Sequence, residues 1–172
     1  KGPEESRSIS SIERYSNHLT TTRRERRDQI VTYFNSAYEL AKGIVDDEVM
    51  MSTFMRLRRA DFQLVGEEKI AIDIHYVLQY GLFYDILFID RSGHVFNSLR
   101  HESDLGANLF HDEAANSQLA QRLLTARDVA FVEFEVYSPS DEPAAFFIVP
   151  VHGSKAANAT NRELLGWFVL QC

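Results

Sequence analysis

Cysteine is almost missing from this chain: the single one, Cys172, is its last residue, so no disulfide can close within it. That leaves the redox compartment open, because an oxidising space permits disulfides without requiring them. Four prolines and eight glycines in 172 residues argue against a linker-rich or disordered chain. No apolar run approaches the ~20 residues needed to cross a bilayer, and no signal-peptide pattern opens the sequence. Basic residues are short as well. With 18 Lys and Arg against 25 Asp and Glu, the net charge of -7 gives no reason to approach a phosphate backbone. The one dense basic run, "RRERR" at 23–27, contains an acid and sits in a helical context, so nucleic acid is not an expected partner.

What is present is a 45% hydrophobic chain of a length that suits one sizeable core. Thr20–Thr22 offer capping hydroxyls before a stretch in which Ile30, Phe34, Ala37 or Tyr38, and Ala41 recur at three- and four-residue steps. Gly43 supplies a stop, and Ile9, Ile12 and Leu19 allow the helix to extend backward. Asp46 or Asp47 can cap a second helix carrying Met50, Phe54, Leu57 and Phe62. A third segment, Glu67 to about Gln79, sets Ile70, Ile74, Val77 and Leu78 on one side of a helix, while Ile72 and Ile74 also fit an alternating strand.

At Gly81 the period changes. "LFYDILFID", "RSG" and "HVFNSL" read as two strands and a tight turn, with Gly93 free to take a positive φ. Asp104 can cap a short turn, and "NSQLAQRLLTA" is a short helix carrying Leu119, Leu123 and Leu124. "VAFVEFEVY", "AAFFIVPV" and "ELLGWFVLQ" are three further strands rich in aromatic and β-branched residues. The order predicts an α/β fold, a five-stranded antiparallel sheet packed against long N-terminal helices. A helical region at 1–80 and a sheet region with a helical crossover at 81–172 form one domain. Residues 152–163 are a loop by composition.

Chemistry is sparse. The six histidines are not spaced at three or four residues on any helix, Ser138 and Ser140 lie in a proline-bearing turn, and no phosphate-binding glycine loop occurs. "NAT" at 158–160 meets the short glycosylation rule, which matters only in a compartment that glycosylates. No catalytic residue, metal or cofactor is expected. Asp85 stands out because it shares a strand phase with Phe83, Leu87 and Ile89, where a carboxylate is costly to bury unless it meets donors. Either it anchors a ligand in a pocket, or it caps nearby backbone. Asp104 poses the same choice. Glu133 and Glu135 alternate with Phe134 and Val136, as on the wet face of a half-covered sheet.

"YFNSAYELAKGIVDD", "FYDILFIDRSGHVFNSLRHESDLGANLF", "NSQLA", "EVYSPSDEPAAFFIVPV" and "LLGWFVLQ", in that order, resemble the extracytoplasmic PAS-like (Cache-type) sensor domain of bacterial transmembrane receptors. The resemblance runs from about residue 28 to the C-terminus. It is carried by Tyr84 and Asp85 at the first strand, and by Tyr137, Pro139, Ser140, Pro143, Ala144, Ala145 and Phe146. It implies an input domain set between membrane-spanning helices, on the periplasmic or extracellular side of an inner-membrane protein, feeding a chemotaxis, histidine-kinase or diguanylate-cyclase module. It implies a small-molecule site lined by Tyr84, Asp85, Asp104, Tyr137, Ser140 and Phe146. A start on Lys1 and an end on a strand agree with a piece of a longer protein, flanked by membrane helices outside it. The alternative is a ligand-free structural module that forms a homodimer through its N-terminal helix.

Overall fold

A computed structural model describes the backbone of residues 3–59, 65–100, 104–137, 142–153 and 162–172, with side chains from residue 18 onward except at 112 and 113. The chain divides into two compact units, Lys1–Ala37 and Tyr38–Cys172.

The described residues of the first unit lie within α1, a continuous helix of 41 residues, Pro3–Gly43. Proline occupies the first helical position, where its missing N–H costs nothing, and no glycine or proline interrupts the helix before Gly43. Thr20–Thr22 are therefore interior residues of one long helix and not its cap. The basic run 23–27 is exposed. Leu19, Ile30 and Val31 are each more than half exposed, at 52%, 58% and 51%.

The second unit opens with the end of α1, where Ala41 is buried, and a 3₁₀ turn, Ile44–Asp46. Asp47 then caps α2 (Glu48–Leu57): one of its carboxylate oxygens accepts from the amides of Val49 and Met50 at 2.9 and 3.1 Å. Met50 and Phe54 are buried, and the Phe54 ring meets Phe88, Phe96 and Phe168 at 6.1, 5.2 and 5.1 Å between centroids. Phe62 lies outside the described residues. The third segment is a helix, α3 (Gly66–Tyr80). Its buried side is Ile72, Tyr76 and Tyr80, and Ile70, Ile74, Val77 and Leu78 share the exposed side. Two tyrosines fix that orientation. The Tyr80 hydroxyl donates to Asp47 Oδ2 at 2.9 Å, and the Tyr76 hydroxyl lies 2.8 and 2.7 Å from the carbonyl oxygens of Phe83 and Tyr84.

The sheet contains β1 (Asp85–Asp90), β2 (Val95–Ser98), β3 (Ala130–Tyr137), β4 (Glu142–His152) and β5 (Leu164–Gln171) in the order β2-β1-β5-β4-β3. Every neighbouring pair is antiparallel. Gly93, at φ 85°, closes the β1–β2 turn with an amide bond to Asp90 O at 2.9 Å. This is the five-stranded antiparallel arrangement expected from the element order, and the PAS-like one that the resemblance implies. The sheet is covered on both sides. Phe88, Phe96, Phe147 and Phe168 face the α2 side. The other phase, Leu87, Ile89, Phe146, Ile148, Trp167 and Val169, packs with Leu119 and Leu123 of α4 (Gln118–Thr125) and with Leu109. Leu124 of α4 is 63% exposed.

β3 departs from a simple wet face. Glu135 accepts hydrogen bonds from the amides of Gln118 and Leu119, each at 2.9 Å. Its carboxylate thus satisfies the open amides at the start of α4, in addition to the Ser117 hydroxyl that accepts from Ala120 N.

Candidate functional site

The pairing register puts the residues of interest in rows across the crossover side of the sheet. Asp85 pairs with Gln171, Gln171 with Phe146, and Phe146 with Val132. In the next row Ser98 pairs with Leu87, and Leu87 with Val169. In the third, Ile89 pairs with Trp167. Cross-strand partners share a face, so Asp85, Ser98, Gln171, Phe146 and Trp167 all point to the side occupied by α4.

Asp85 is completely buried and meets donors on several sides. Ser98 Oγ donates to Oδ2 at 2.5 Å, and Oδ1 accepts from the amides of Ile86 and Arg100 at 2.6 and 3.0 Å. The carboxylate ties the beginning of β1 to the end of β2 and the residues just after it. Asp104 is also fully buried. Its backbone carbonyl accepts from Ala107 N at 2.9 Å to make a turn, while Oδ2 accepts from the Tyr137 hydroxyl at 2.9 Å. The Tyr137 ring stands edge-on to Phe146, with centroids 5.0 Å apart. The structure therefore brings Asp104, Tyr137 and Phe146 together, and it aligns Asp85 with Phe146 through Gln171. Tyr84 goes elsewhere. It is 41% exposed, on the opposite phase from Asp85, with the Arg100 guanidinium 4.3 Å above its ring. Ser140 lies outside the described residues.

On this side Gln171 Oε1 and Trp167 Nε1, on residues 5% and 3% exposed, reach no hydrogen-bond partner among the described residues. Native interiors rarely leave such atoms unpaired. Gln171 was legible by the same reasoning that singles out Asp85, since it shares its strand phase with Val169 and Trp167. Ser98 carries no such signal, because a serine at a strand end is commonplace.

A second polar cluster lies at the α2–α3 junction. Asp47 Oδ2 is 2.7 Å from His75 Nε2 and accepts the Tyr80 hydroxyl. Burial alone would raise the Asp47 carboxyl, but hydrogen bonds from His75, Met50 N–H and Tyr80 outweigh it and hold the group below the usual carboxylate value. Burial, reinforced by the Asp47 carboxylate, pushes the Tyr80 phenol up. Among the described residues no group of three or more His, Cys, Asp or Glu side chains is placed to hold a metal ion, and no helix is long and apolar enough to cross a membrane.

No known protein family and no curated protein matches the chain. Solved structures do. The sensor domain of the V. cholerae histidine kinase DctB matches with a TM-score of 0.52 at 15% identity, over 90% of this chain and 56% of that one. A looser match, TM-score 0.45 and 10% identity, is the ligand-binding domain of the Pseudomonas aeruginosa PAO1 amino acid chemoreceptor PctC in complex with GABA, over 86% of this chain and 63% of that one. The chain thus spans less than two thirds of either. Sheet order, helical crossover and the DctB likeness agree: this chain has an α/β, PAS-like fold similar to that of the DctB sensor domain.

Proposed function

We propose that the chain is a ligand-sensing extracytoplasmic input domain of a bacterial transmembrane receptor, its helical part (1–80) and sheet part (81–172) acting as one domain. The observation that carries this reading is the pair of buried, unpartnered polar atoms, Gln171 Oε1 and Trp167 Nε1, on the face shared with Asp85, Tyr137 and Phe146. A buried polar atom without a partner costs roughly 1–3 kcal/mol. A ligand that supplies the missing bonds recovers this free energy. Gln171 Oε1 needs a donor and Trp167 Nε1 an acceptor, so the occupant is a small polar molecule carrying both. Asp85 and Asp104, already hydrogen-bonded, frame the site and anchor the crossover segment that a ligand must displace or tighten. No bond is made or broken; the output is a repacking of the elements around the sheet, passed to a cytoplasmic module. The sensor-domain fold supports the reading.

Trp167 is the only tryptophan, which makes the test specific. A screen of small polar compounds is read by melting temperature and by the indole N–H resonance. A ligand should raise the first and move the second, and Gln171→Leu should abolish both responses while the free variant stays folded. If every stabilising compound leaves the indole resonance and the Gln171 side-chain amide unmoved, this site is not the sensor. A second reading, a dimerisation module, is favoured by the exposed Leu19, Ile30 and Val31 on α1. It predicts a dimer in light scattering that Ile30→Glu with Val31→Glu dissociates.

A further inference from the structure

β4 outruns its neighbour. It has eleven residues to the eight of β3, and the β3–β4 ladder stops at Ala130 with Ile148. Val149–His152 therefore pair with β5 on one side and have no β3 residue on the other. Pro150, which has no amide hydrogen to offer a ladder, falls in this stretch. Where β3 is missing, a groove of about 500 Å³ opens between the last turn of α1 and the residues leading into β3. Its size is that of a small-ligand site.

The lining is of two kinds. Tyr38, Val149 and Pro150 contribute apolar walls, and Lys42, Arg127 and Asp128 contribute charge. Lys42 and Arg127 are exposed, and none of the ion pairs among the described residues involves either. Two cations against one carboxylate leave a local excess of one positive charge, in a chain whose net charge is -7. A small anion is repelled by most of this molecule and attracted here. The single excess charge matches a monoanion better than a dianion, and the apolar walls match a hydrocarbon body. The arginine fork favours a planar carboxylate.

We propose that this groove is a second ligand site, separate from the one beneath the crossover, and that it takes a small monocarboxylate with an apolar body. Val149 belongs to the sheet phase opposite Phe146, whereas Pro150 shares the phase of Phe146 and pairs with Trp167; the groove's charge comes from Lys42 and Arg127, which lie outside the strands, so it can be removed without touching Gln171.

The test uses the whole 172-residue chain with benzoate and hexanoate, their uncharged amides benzamide and hexanamide, and inorganic phosphate. Binding is read from backbone amide resonances. Both carboxylates should give saturable shifts centred on Lys42, Arg127 and Val149. The amides and phosphate should bind at least about tenfold more weakly, because each lacks either the charge or the apolar body. Lys42→Gln combined with Arg127→Gln should weaken carboxylate binding by a similar factor without lowering the melting temperature of the free protein. Gln171→Leu should leave it unchanged, which separates failure of this site from failure of the sensing site. The proposal is overturned by the absence of saturable shifts, by amides or phosphate binding as well as the carboxylates, by indifference to the double substitution, or by shifts centred on Trp167.

Discussion

Asp85 and Tyr137 show how much one buried hydrogen-bonding side chain controls here. Removing the carboxylate in Asp85→Ala leaves the Ser98 hydroxyl and the Arg100 amide without their acceptor. The expected loss is about 2–4 kcal/mol, measured as a lower urea midpoint at unchanged slope. Ser98→Ala, which spares the backbone bonds, should cost about half as much. Tyr137→Phe keeps the ring against Phe146 and deletes the bond to Asp104, for an expected loss of roughly 1–3 kcal/mol by the same measurement. Gly166 is the steric extreme. A Cβ there would stand 2.0 Å from Ile89 O, so Gly166→Ala should abolish the cooperative unfolding transition, because strand backbone cannot give way as a side-chain tip can. At this scale the sequence was partly legible. A carboxylate on an apolar phase marks Asp85 as a residue that must meet donors, but besides the adjacent Ile86 amide the donors come from β2 and the residue two beyond it, 13 and 15 positions away, and no local pattern specifies those two.

Among the elements, α2 and α3 are joined through Asp47, which caps the first and accepts from Tyr80 and pairs with His75 of the second. Asp47→Ala should cost about 1–2 kcal/mol from the cap alone. Its pH dependence has a definite sign. The folded-state carboxyl sits below the ordinary value, so the unfolded chain binds the proton more readily. The contribution is full above the unfolded value of about 3.9 and is lost as pH falls through the folded value. The gap in urea midpoint between wild type and Asp47→Ala should therefore be constant near neutrality and shrink in acid. The Asp47 cap was readable as one of two adjacent aspartates. The facing of α3 was not. Its larger apolar side, Ile70, Ile74, Val77 and Leu78, is the exposed one, because hydroxyl bonds from Tyr76 and Tyr80 turn the narrower side inward. Hydrophobic periodicity identifies a helix and its stripe, but here the tyrosine bonds decide which stripe is buried.

On the scale of the whole chain, the sheet and both of its covering layers lie within Tyr38–Cys172. Limited proteolysis should remove residues N-terminal to Tyr38 while leaving a fragment that melts cooperatively, since cleavage follows local opening and the buried core is downstream. A single melting step that vanishes with the first cut would show the opposite.

Alternating patterns, turn glycines and aromatic-rich runs were enough, from the sequence alone, to define five strands, their meander with a helical crossover, the long first helix and an α/β fold with an antiparallel sheet; the PAS-like class came from the resemblance to a known family. The former are local properties of 2.0- and 3.6-residue periods. The tertiary structure decided the rest. Register alone aligned Gln171 between Asp85 and Phe146, and folding alone set Asp104 against Tyr137 across 33 residues. The mismatch in length between β3 and β4 opened the groove beside Lys42 and Arg127. Each of these depends on which residues become neighbours across a sheet, and that is fixed by long-range pairing.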